Sequence, residues 1–537
     1  MPTETPGDTN AYARDADGGH LPAWKAFTRR VGGGGDVGIR HGTFLVRDGE
    51  DEAVDNDMPP AGLGDGGEVV PAPGRAETAG AVWAGPRATT RPSTRTTDLP
   101  AAFLCRDTNR RSMWHRRTLL AAAAAAAGLG GCAESSAPAT PEGPTGAPSR
   151  PPVTARYAFT HLRADGNRVV DGRGTIDDAQ PVDIVVDGRP AWLLAFGGSG
   201  GASYWTVVTA GGRATTHRVG DGAETVASHG RVPTPPLAYA AGGAFGVVDA
   251  PADCAAETHP VMIDGGVLYV ATNGDAVVRR DGTSTRLDAD APSDARPVRV
   301  DDGRYALYGG RTERYRHGAL GDGVEGSRLL VVDAAGERVE ASVTLDAPAV
   351  FEGLSPLVAD LDGDGDAEIV TTVADATDGA RIRAYDVDGA ELATGPSYGS
   401  GWRHQLCVAP FAPDGRPELA VVRKPHVDRT LEFYRLDDDG LTVTATHGRY
   451  ASHTYGSRNV DGGLAADLHG DGRSELLLPT ADRRALAAVR RASGGVERAS
   501  TLPLGGSLAT NVVGVALDDG RLAVGAGTTA GVRIWRG

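Results

Sequence analysis

The sequence predicts an all-β protein and, within that class, a β-propeller of seven blades over residues 155–537. An apolar strand, a turn that usually contains Asp-Gly, and a second apolar strand recur seven times in this region. A further strand and turn follow each pair, and no segment there carries sustained helical periodicity. Short strands that repeat at intervals of roughly 40 to 60 residues are typical of propellers.

The seven strand pairs begin near residues 182, 260, 297, 356, 406, 463 and 512. An Asp-Gly step between apolar runs favours a hairpin, because glycine accepts the positive φ that such turns require. The run "ARYAFTHL" from residue 155 has no partner in this scheme. We therefore expect it to form the outermost strand of the last blade, where it closes the ring and covers an edge. The long gap between the first two hairpins leaves room for an eighth blade or for a loop that carries Cys254.

Composition limits the possible functions. The chain has 537 residues, a formal net charge of −16 and a pI of about 5.3, which argues against a basic nucleic-acid-binding surface. Lys25 and Lys424 are its only lysines. An acidic, lysine-poor chain resembles proteins of salt-loving archaea, and a GC-rich bacterial source is the alternative.

The segment "MWHRRTLLAAAAAAAGLGGC" has the layout of a lipoprotein signal peptide over residues 113–131, followed by Cys132. Paired arginines precede an apolar stretch that is too short to span a bilayer as a stable helix. The residues before Cys132 resemble a lipobox, which implies that this cysteine is lipidated. The run from Arg116 resembles a twin-arginine export motif, which implies export of a folded domain.

The segments on either side of this signal lack core-forming residues. Residues 1–112 are rich in Gly, Pro, Asp and Thr, which predicts disorder. Because a signal peptide acts at the start of a chain, we interpret them as a mis-assigned upstream extension, with translation from Met113. Residues 132–154 are rich in Ser, Ala, Pro and Gly and read as a flexible tether.

The stretch "ADLDGDGDAEIV", from Ala359 to Val370, crowds five carboxylates around two glycines and continues as a strand. Like charges this close repel unless a cation lies between them, and a hard cation with oxygen ligands meets that need. Alternate residues of a tight loop point inward, and Gly363 and Gly365 permit the curvature. Strands rather than helices flank the loop, which excludes an EF-hand.

These residues resemble the FG-GAP/VCBS family of integrin-like β-propellers, whose motif D-x-D-G-D-G-x-x-[DE] binds calcium in a loop between strands. The resemblance covers roughly residues 155–537, and the motif is sharp in two hairpins. It implies a structural Ca²⁺ held by four carboxylates and by the backbone oxygen of Asp366. The side chains implied as ligands are those of Asp360, Asp362, Asp364 and Glu368.

A second copy of the motif runs from Asp467 to Glu475 and implies a weaker metal site. Asp467, Asp471 and Glu475 are kept, but His469 stands where the family has Asp or Asn. Imidazole is a poor calcium ligand. The hairpin at 406 keeps only two of the acidic positions, so we expect its loop to bind no metal.

Four polar or aromatic residues precede inner strands of the predicted blades: Trp402, Arg403, His404 and Arg458. Loops of this kind cluster at one mouth of a propeller channel, where such residues stack a sugar or pair a carboxylate. Ordinary loop packing is the alternative.

Two cysteines remain in the predicted propeller, Cys254 and Cys407. An exported protein permits a disulfide between them. Two buried free thiols are the alternative, because spacing in the sequence does not place the two residues in space.

Together these features predict a lipid-anchored protein on the outer face of the cytoplasmic membrane or the cell surface. Its calcium-stabilised propeller is expected to act as a binding or scaffolding module for an unidentified protein or glycan. The sequence carries no H-E-x-x-H or P-loop motif, and a non-catalytic role is favoured. The alternative is an extracytoplasmic enzyme, a polysaccharide lyase or a hydrolase, that uses the channel mouth.

Overall fold

The computed structural model describes residues 155–537 and a hairpin of β1 (Phe44–Arg47) and β2 (Glu50–Ala53). In these residues the protein is all-β, as the sequence predicts, and their one helical element is a 3-10 turn at Ile176–Asp178. The predicted signal peptide, Cys132 and the tether lie outside the described residues, as does most of the segment 1–112. Among the described residues, no helix is both long and apolar enough to cross a bilayer.

The strands from residue 155 onward form eight antiparallel units, which we call sheets I to VIII. Three short strands come first: β3 (Arg156–Ala158), β4 (Val169–Arg173) and β5 (Val182–Ile184). Sheet I contains β6 (Pro190–Gly197), β7 (Ser203–Thr209), β8 (Arg213–Val219) and β9 (Ala223–Arg231). Sheet II contains β10 (Ala238–Ala241) and β11 (Ala244–Val247). Sheet III contains β12 (Val261–Ile263), β13 (Gly266–Val270), β14 (Ala276–Arg280) and β15 (Thr283–Leu287).

Sheets IV and V are two halves of one nine-stranded sheet, joined by β20. Sheet IV contains β16 (Val298–Arg299), β17 (Arg304–Thr312), β18 (Glu325–Asp333) and β19 (Arg338–Thr344), and sheet V contains β20 (Val350–Phe351), β21 (Leu357–Ala359), β22 (Glu368–Ala374), β23 (Arg381–Tyr385) and β24 (Glu391–Thr394). Sheet VI contains β25 (Arg403–Ala409), β26 (Glu418–Arg423), β27 (Thr430–Asp437) and β28 (Gly440–Arg449). Sheet VII contains β29 (Leu464–Asp467), β30 (Glu475–Pro479), β31 (Ala485–Ala492) and β32 (Gly495–Pro503), and sheet VIII contains β33 (Leu508–Ala516), β34 (Leu522–Thr528) and β35 (Gly531–Arg536).

Six of the seven predicted hairpins are confirmed, namely those near residues 260, 297, 356, 406, 463 and 512. In each of them the predicted companion pairs with the second strand as the third strand of the sheet. The hairpin predicted near residue 182 is wrong. Its first strand, β5, pairs with β35 instead of β6.

The strand that joins the N-terminal part to the last sheet is β5, with Ile184 opposite Val532 and Asp183 opposite Arg533. The placement of "ARYAFTHL" in this position is therefore wrong, because β3 pairs with β10. The physical reason lies in side chains: Ile184 is buried, and the carboxylate of Asp183 accepts from Arg533 Nε and Nη2 at 2.7 and 2.8 Å. The edge of β35 is covered by a strand, as expected, but by a different one.

Apolar side chains fill the space between consecutive sheets. Separate clusters join sheets I and II, IV and V, V and VI, VI and VII, and VII and VIII, and one larger cluster joins sheets II, III and IV. A further cluster joins sheet VIII to sheet I, in which Trp205 and Leu193 pack with Val513 and Ile534. Each sheet therefore packs on the next, and the last packs on the first.

The segment from residue 159 to 176 runs along the first strands of several sheets. Its backbone or side chains hydrogen-bond to sheets IV, V, VI, VII and VIII through Arg299, Val358, Val408, Ala465 and Gly520. Within it, β4 pairs in parallel with β29. Residues such as Asn167 and Arg168 are buried, so this segment is part of the interior.

The gap between the first two predicted hairpins holds β8, β9 and the small sheet II. Sheet II has three strands, because β3 pairs with β10.

Cys254 and Cys407 are both free thiols, so the alternative of a disulfide between them is wrong. Burial raises the pKa of each thiol to about 12.

Candidate metal-binding loop

The loop that joins β21 to β22 gathers three of the five predicted ligands. Carboxylate oxygens of Asp360, Asp362 and Glu368 lie within 4.8 Å of one another, close enough for one cation to contact all three. Asp360 is half-buried, Asp362 is exposed and Glu368 is buried. Asp364 and Asp366 are exposed and lie outside this set.

Main-chain hydrogen bonds hold the loop in a tight turn around these carboxylates. Asp360 Oδ1 and Oδ2 accept from the N–H groups of Gly363 and Gly365 at 2.6 and 3.1 Å. Asp362 Oδ1 accepts from the N–H of Asp364 at 3.1 Å. The φ angles of the two glycines are +87° and +99°. Glycine adopts this left-handed region without steric cost, as predicted from the sequence.

Glu368 forms the buried side of the loop. Burial raises the pKa of Glu368 to about 7, and a hydrogen bond from the Leu361 N–H at 2.6 Å opposes that rise. The negative charges of three loop aspartates add to the rise. Among the described residues, no basic side chain forms an ion pair with any of the three clustered carboxylates. Within the described part of the chain, main-chain N–H groups but no cationic side chains compensate the negative charge of these three carboxylates.

The second copy of the motif has a similar main-chain pattern. Asp467 Oδ1 and Oδ2 accept from the N–H groups of Asp471 and Gly472 at 3.1 and 2.9 Å. The Leu468 N–H donates to Glu475 Oε2 at 2.9 Å. The loop therefore folds like that of β21 and β22.

Basic side chains neutralise this second loop. Arg490 Nε donates to Glu475 Oε1 at 2.8 Å, and Arg490 Nη2 lies 3.1 Å from Asp471 Oδ2. His469 Nδ1 lies 3.3 Å from Glu475 Oε2. A guanidinium therefore supplies the positive charge here, which sequence reasoning missed because Arg490 belongs to a different strand.

The loop between β25 and β26 is neutralised in a similar way. Arg435 Nη2 lies 3.2 Å from Glu418 Oε1 and 3.5 Å from Asp414 Oδ1. Arg491 of sheet VII donates from Nε to Glu418 Oε2 at 2.8 Å. The two acidic residues that remain in this loop are thus engaged by arginines.

The four residues predicted to line a ligand pocket are packed into the protein. Trp402, Arg403 and His404 are each no more than 3 % exposed, and the ring of His404 stacks on that of Trp402 at 4.4 Å. Arg458 Nε donates to Asp294 at 2.7 Å, and its guanidinium also pairs with two further carboxylates. The cavity beside Trp402 and His404 has a volume of about 20 Å³. It holds about one water molecule, so a sugar ring does not fit there.

A buried polar centre around Asp461 was not predicted from the sequence. Asp461 is fully buried; its Oδ1 accepts from Arg168 Nε and Nη2 at 3.0 and 2.7 Å, and its Oδ2 accepts from Arg296 Nη1 at 3.1 Å. Burial opposes ionisation, but the two arginines outweigh it and hold the pKa of Asp461 well below its usual range. These partners lie 293 and 165 residues away, so no local spacing indicates them.

Buried histidines lie around this centre and beside Trp402. His161 packs edge-on against His259 at 5.3 Å, and His453 packs edge-on against His404 at the same distance. Burial lowers the pKa of both His161 and His453 to about 3. These rings are therefore neutral at pH 7.

A family model described as Monooxygenase af470-like matches residues 5–63. Within that range the structure describes only the hairpin of β1 and β2. The matched residues precede sheets I to VIII and the loops described above in the sequence. The interpretation of residues 1–112 as an upstream extension does not explain this similarity.

No curated protein matches the chain. Among solved structures, BBS1N in complex with ARL6DN matches with a TM-score of 0.36 and 11 % identity, over 68 % of this chain and 97 % of that one. KlHsv2 with loop 6CD replaced by a Gly-Ser linker matches with a TM-score of 0.33 and 12 % identity, over 56 % of this chain and 95 % of that one. Similarities at this level carry no argument about the fold or the function.

Proposed function

We propose that the chain is an exported lipoprotein whose folded part is a calcium-stabilised β-propeller, and that it acts at the cell surface as a binding or scaffolding module. The observation that carries this proposal is the loop between β21 and β22. Three of its carboxylates converge within 4.8 Å, and no basic side chain of the described residues pairs with them. Carboxylates held this close repel one another strongly unless a cation lies between them.

Calcium is the cation that these groups suit. Ca²⁺ takes six to eight oxygen ligands at about 2.3–2.6 Å and tolerates irregular geometry. Asp360, Asp362 and Glu368 supply three carboxylates, and Asp364 and the backbone of Asp366 belong to the same turn. The three converging ligands offer only oxygen, whereas Zn²⁺ sites use mainly nitrogen and sulfur. The bound ion would tie β21 to β22 as a structural clip.

The arrangement of the sheets supports a propeller. Each sheet packs on the next through an apolar cluster, sheet VIII packs on sheet I, and β5 joins the N-terminal part to β35. Sheet II occupies a position between sheets I and III, which favours eight blades, one of them small, over the seven counted from the hairpins. In this arrangement the segment 159–176 fills the central channel.

Export and anchoring rest on the sequence. The signal-like segment 113–131, the lipobox-like residues before Cys132 and the polar tether support a domain held at the membrane by lipid. The proposed partner of the domain is a protein or a glycan. Its identity is to be found by screening the purified chain against both classes.

We expect Ca²⁺ to raise the melting temperature (Tm) of the full chain. For a site with a Kd of about 10⁻⁴ M, about 5 mM Ca²⁺ stabilises the folded state by about 2 kcal/mol. The double variant Asp362→Ala and Asp364→Ala should lose this response, because it removes two of the loop carboxylates. Thermal unfolding with Ca²⁺, with Mg²⁺ and with chelator measures the effect.

Asp388→Ala is the matched control, since this aspartate lies in the same sheet and its side chain is 83 % exposed. It should respond to Ca²⁺ as the parent does. A parent that does not respond to Ca²⁺, or a double variant that responds as the parent does, would contradict the calcium site.

A further inference from the structure

Three hairpin loops, those of sheets V, VI and VII, share a buried glutamate at the start of their second strand: Glu368, Glu418 and Glu475. Strand register fixes the residue that lies opposite each one on the third strand. The adjacent pairs are Ile369 with Tyr385, Leu419 with Tyr434, and Leu476 with Val489. One further step along each antiparallel register reaches, in the same order, Asp386, Arg435 and Arg490.

The two arginines make equivalent contacts. Arg490 donates to Glu475 Oε1 and lies 3.1 Å from Asp471 Oδ2. Arg435 lies 3.2 Å from Glu418 Oε1 and 3.5 Å from the carboxylate of the aspartate in its loop. Each guanidinium therefore bridges the buried glutamate and a loop aspartate, a task that its planar fork of donors suits.

The loop of sheet V has an acid at the corresponding position. Asp386 Oδ1 accepts from the N–H groups of Asp388 and Ala390 at 3.0 and 2.7 Å, which holds the turn between β23 and β24. Asp386 supplies no positive charge to Glu368. The one loop that retains the full acidic motif thus has an aspartate at the register position where the two loops with an incomplete motif have arginines.

We propose that this third-strand residue determines how each loop is neutralised. Where it is Asp386, the loop takes Ca²⁺; where it is Arg435 or Arg490, the built-in guanidinium takes the place of the ion. This inference rests on the calcium site proposed above. A divalent ion that entered the loop of sheet VII would have to displace Arg490 from Glu475, whose side chain is fully buried. The second motif copy therefore binds no calcium, in spite of its acidic residues.

The first test places arginine in the calcium loop. Asp386→Arg should weaken calcium binding by the full chain at least about tenfold, because a positive charge within a few ångströms repels the ion. Asp386→Ala loses the same turn hydrogen bonds without adding a cation, so it should keep the calcium affinity of the parent. Isothermal titration with CaCl₂ measures both.

The second test removes the arginine from sheet VII. In the double variant, His469→Asp completes the acidic motif in the loop of sheet VII, and Arg490→Asp places an acid on the third strand, as in sheet V. This variant should therefore bind one more Ca²⁺ than the parent. Arg490→Asp with His469 unchanged should gain less affinity, because imidazole is a poor ligand for calcium.

The outcomes separate the two proposals. A parent without calcium binding contradicts the calcium site itself. A parent that binds, with an Asp386→Arg variant of unchanged affinity, contradicts only the role of the third-strand residue. If Asp386→Arg does not fold, the variant of Arg490 and His469 decides: one additional ion supports the inference, and an unchanged stoichiometry overturns it.

Discussion

Replacing Asp461 with asparagine is expected to lower the free energy of unfolding by about 3–5 kcal/mol. The amide keeps the shape of the side chain but removes its charge, so Arg168 and Arg296 are left without their counter-ion. Their side chains are 8 % and 2 % exposed. A buried charge that loses its partner costs far more than an exposed one, since water does not replace the lost interaction. Because Asp461 contacts two distant parts of the chain, the loss loosens the interior of the whole domain.

Urea unfolding of the full chain measures this effect, with Asp187→Asn as the control. Asp187 pairs with Arg213 at 2.9 Å, but both side chains are more than half exposed. Exposed pairs contribute no more than about 1 kcal/mol, so the control should unfold near the urea concentration of the parent. Equal midpoints for the two variants would contradict a structural role for Asp461.

Acidification from pH 6.5 to pH 5 is expected to destabilise the protein through its buried histidines. Burial lowers the pKa of His161 and His453 from about 6.5 to about 3. Between these values the unfolded chain binds protons that the folded chain does not bind. The stability contributed by the two neutral rings is therefore present above pH 6.5 and lost as the pH falls towards 3. At about 1.4 kcal/mol per pH unit and per histidine, the loss by pH 5 is about 4 kcal/mol.

Urea midpoints of the parent at pH 7, 6 and 5 test this expectation, with the double variant His161→Gln and His453→Gln for comparison. The raised pKa of Glu325 and of Glu368 acts in the opposite direction. The difference in the pH dependence of stability between parent and double variant is therefore the contribution of His161 and His453 alone. His447→Gln, at a half-buried position, is the matched control. Its urea midpoint should keep most of the pH dependence that the parent shows. Identical dependence in parent and double variant would rule out this role of the histidines.

Local turn chemistry explains why most of the fold was predictable. Six hairpins follow from apolar runs around short polar turns, because such turns specify the pairing of their own flanking strands. Asp187-Gly188 carries the same signal, and Gly188 has the expected positive φ of 112°. Its upstream strand nevertheless pairs with β35, some 350 residues away. A three-residue strand carries too little local pattern to identify a partner at that distance.

In the candidate site, too, the features set by local sequence were predictable and those set by distant residues were not. The spacing of acidic residues and glycines within nine positions indicated the loop at Asp360, because its clustered carboxylates are neighbours in sequence. The net charge of the second loop depends on Arg490, which is fifteen residues beyond Glu475 in the sequence. The pairing of β30 with β31 brings the two side chains together. Burial of Trp402 and His404 likewise depends on packing between sheets, and their position before an inner strand did not predict it.

The most direct test of the central claim is a crystal structure of the chain grown with millimolar CaCl₂, with a long-wavelength anomalous map to locate calcium. We expect one strong anomalous peak in the loop of sheet V, about 2.3–2.6 Å from oxygens of Asp360, Asp362 and Glu368, and none in the loops beside Arg435 and Arg490. No peak between the three carboxylates, or an equal peak beside Arg490, would contradict it.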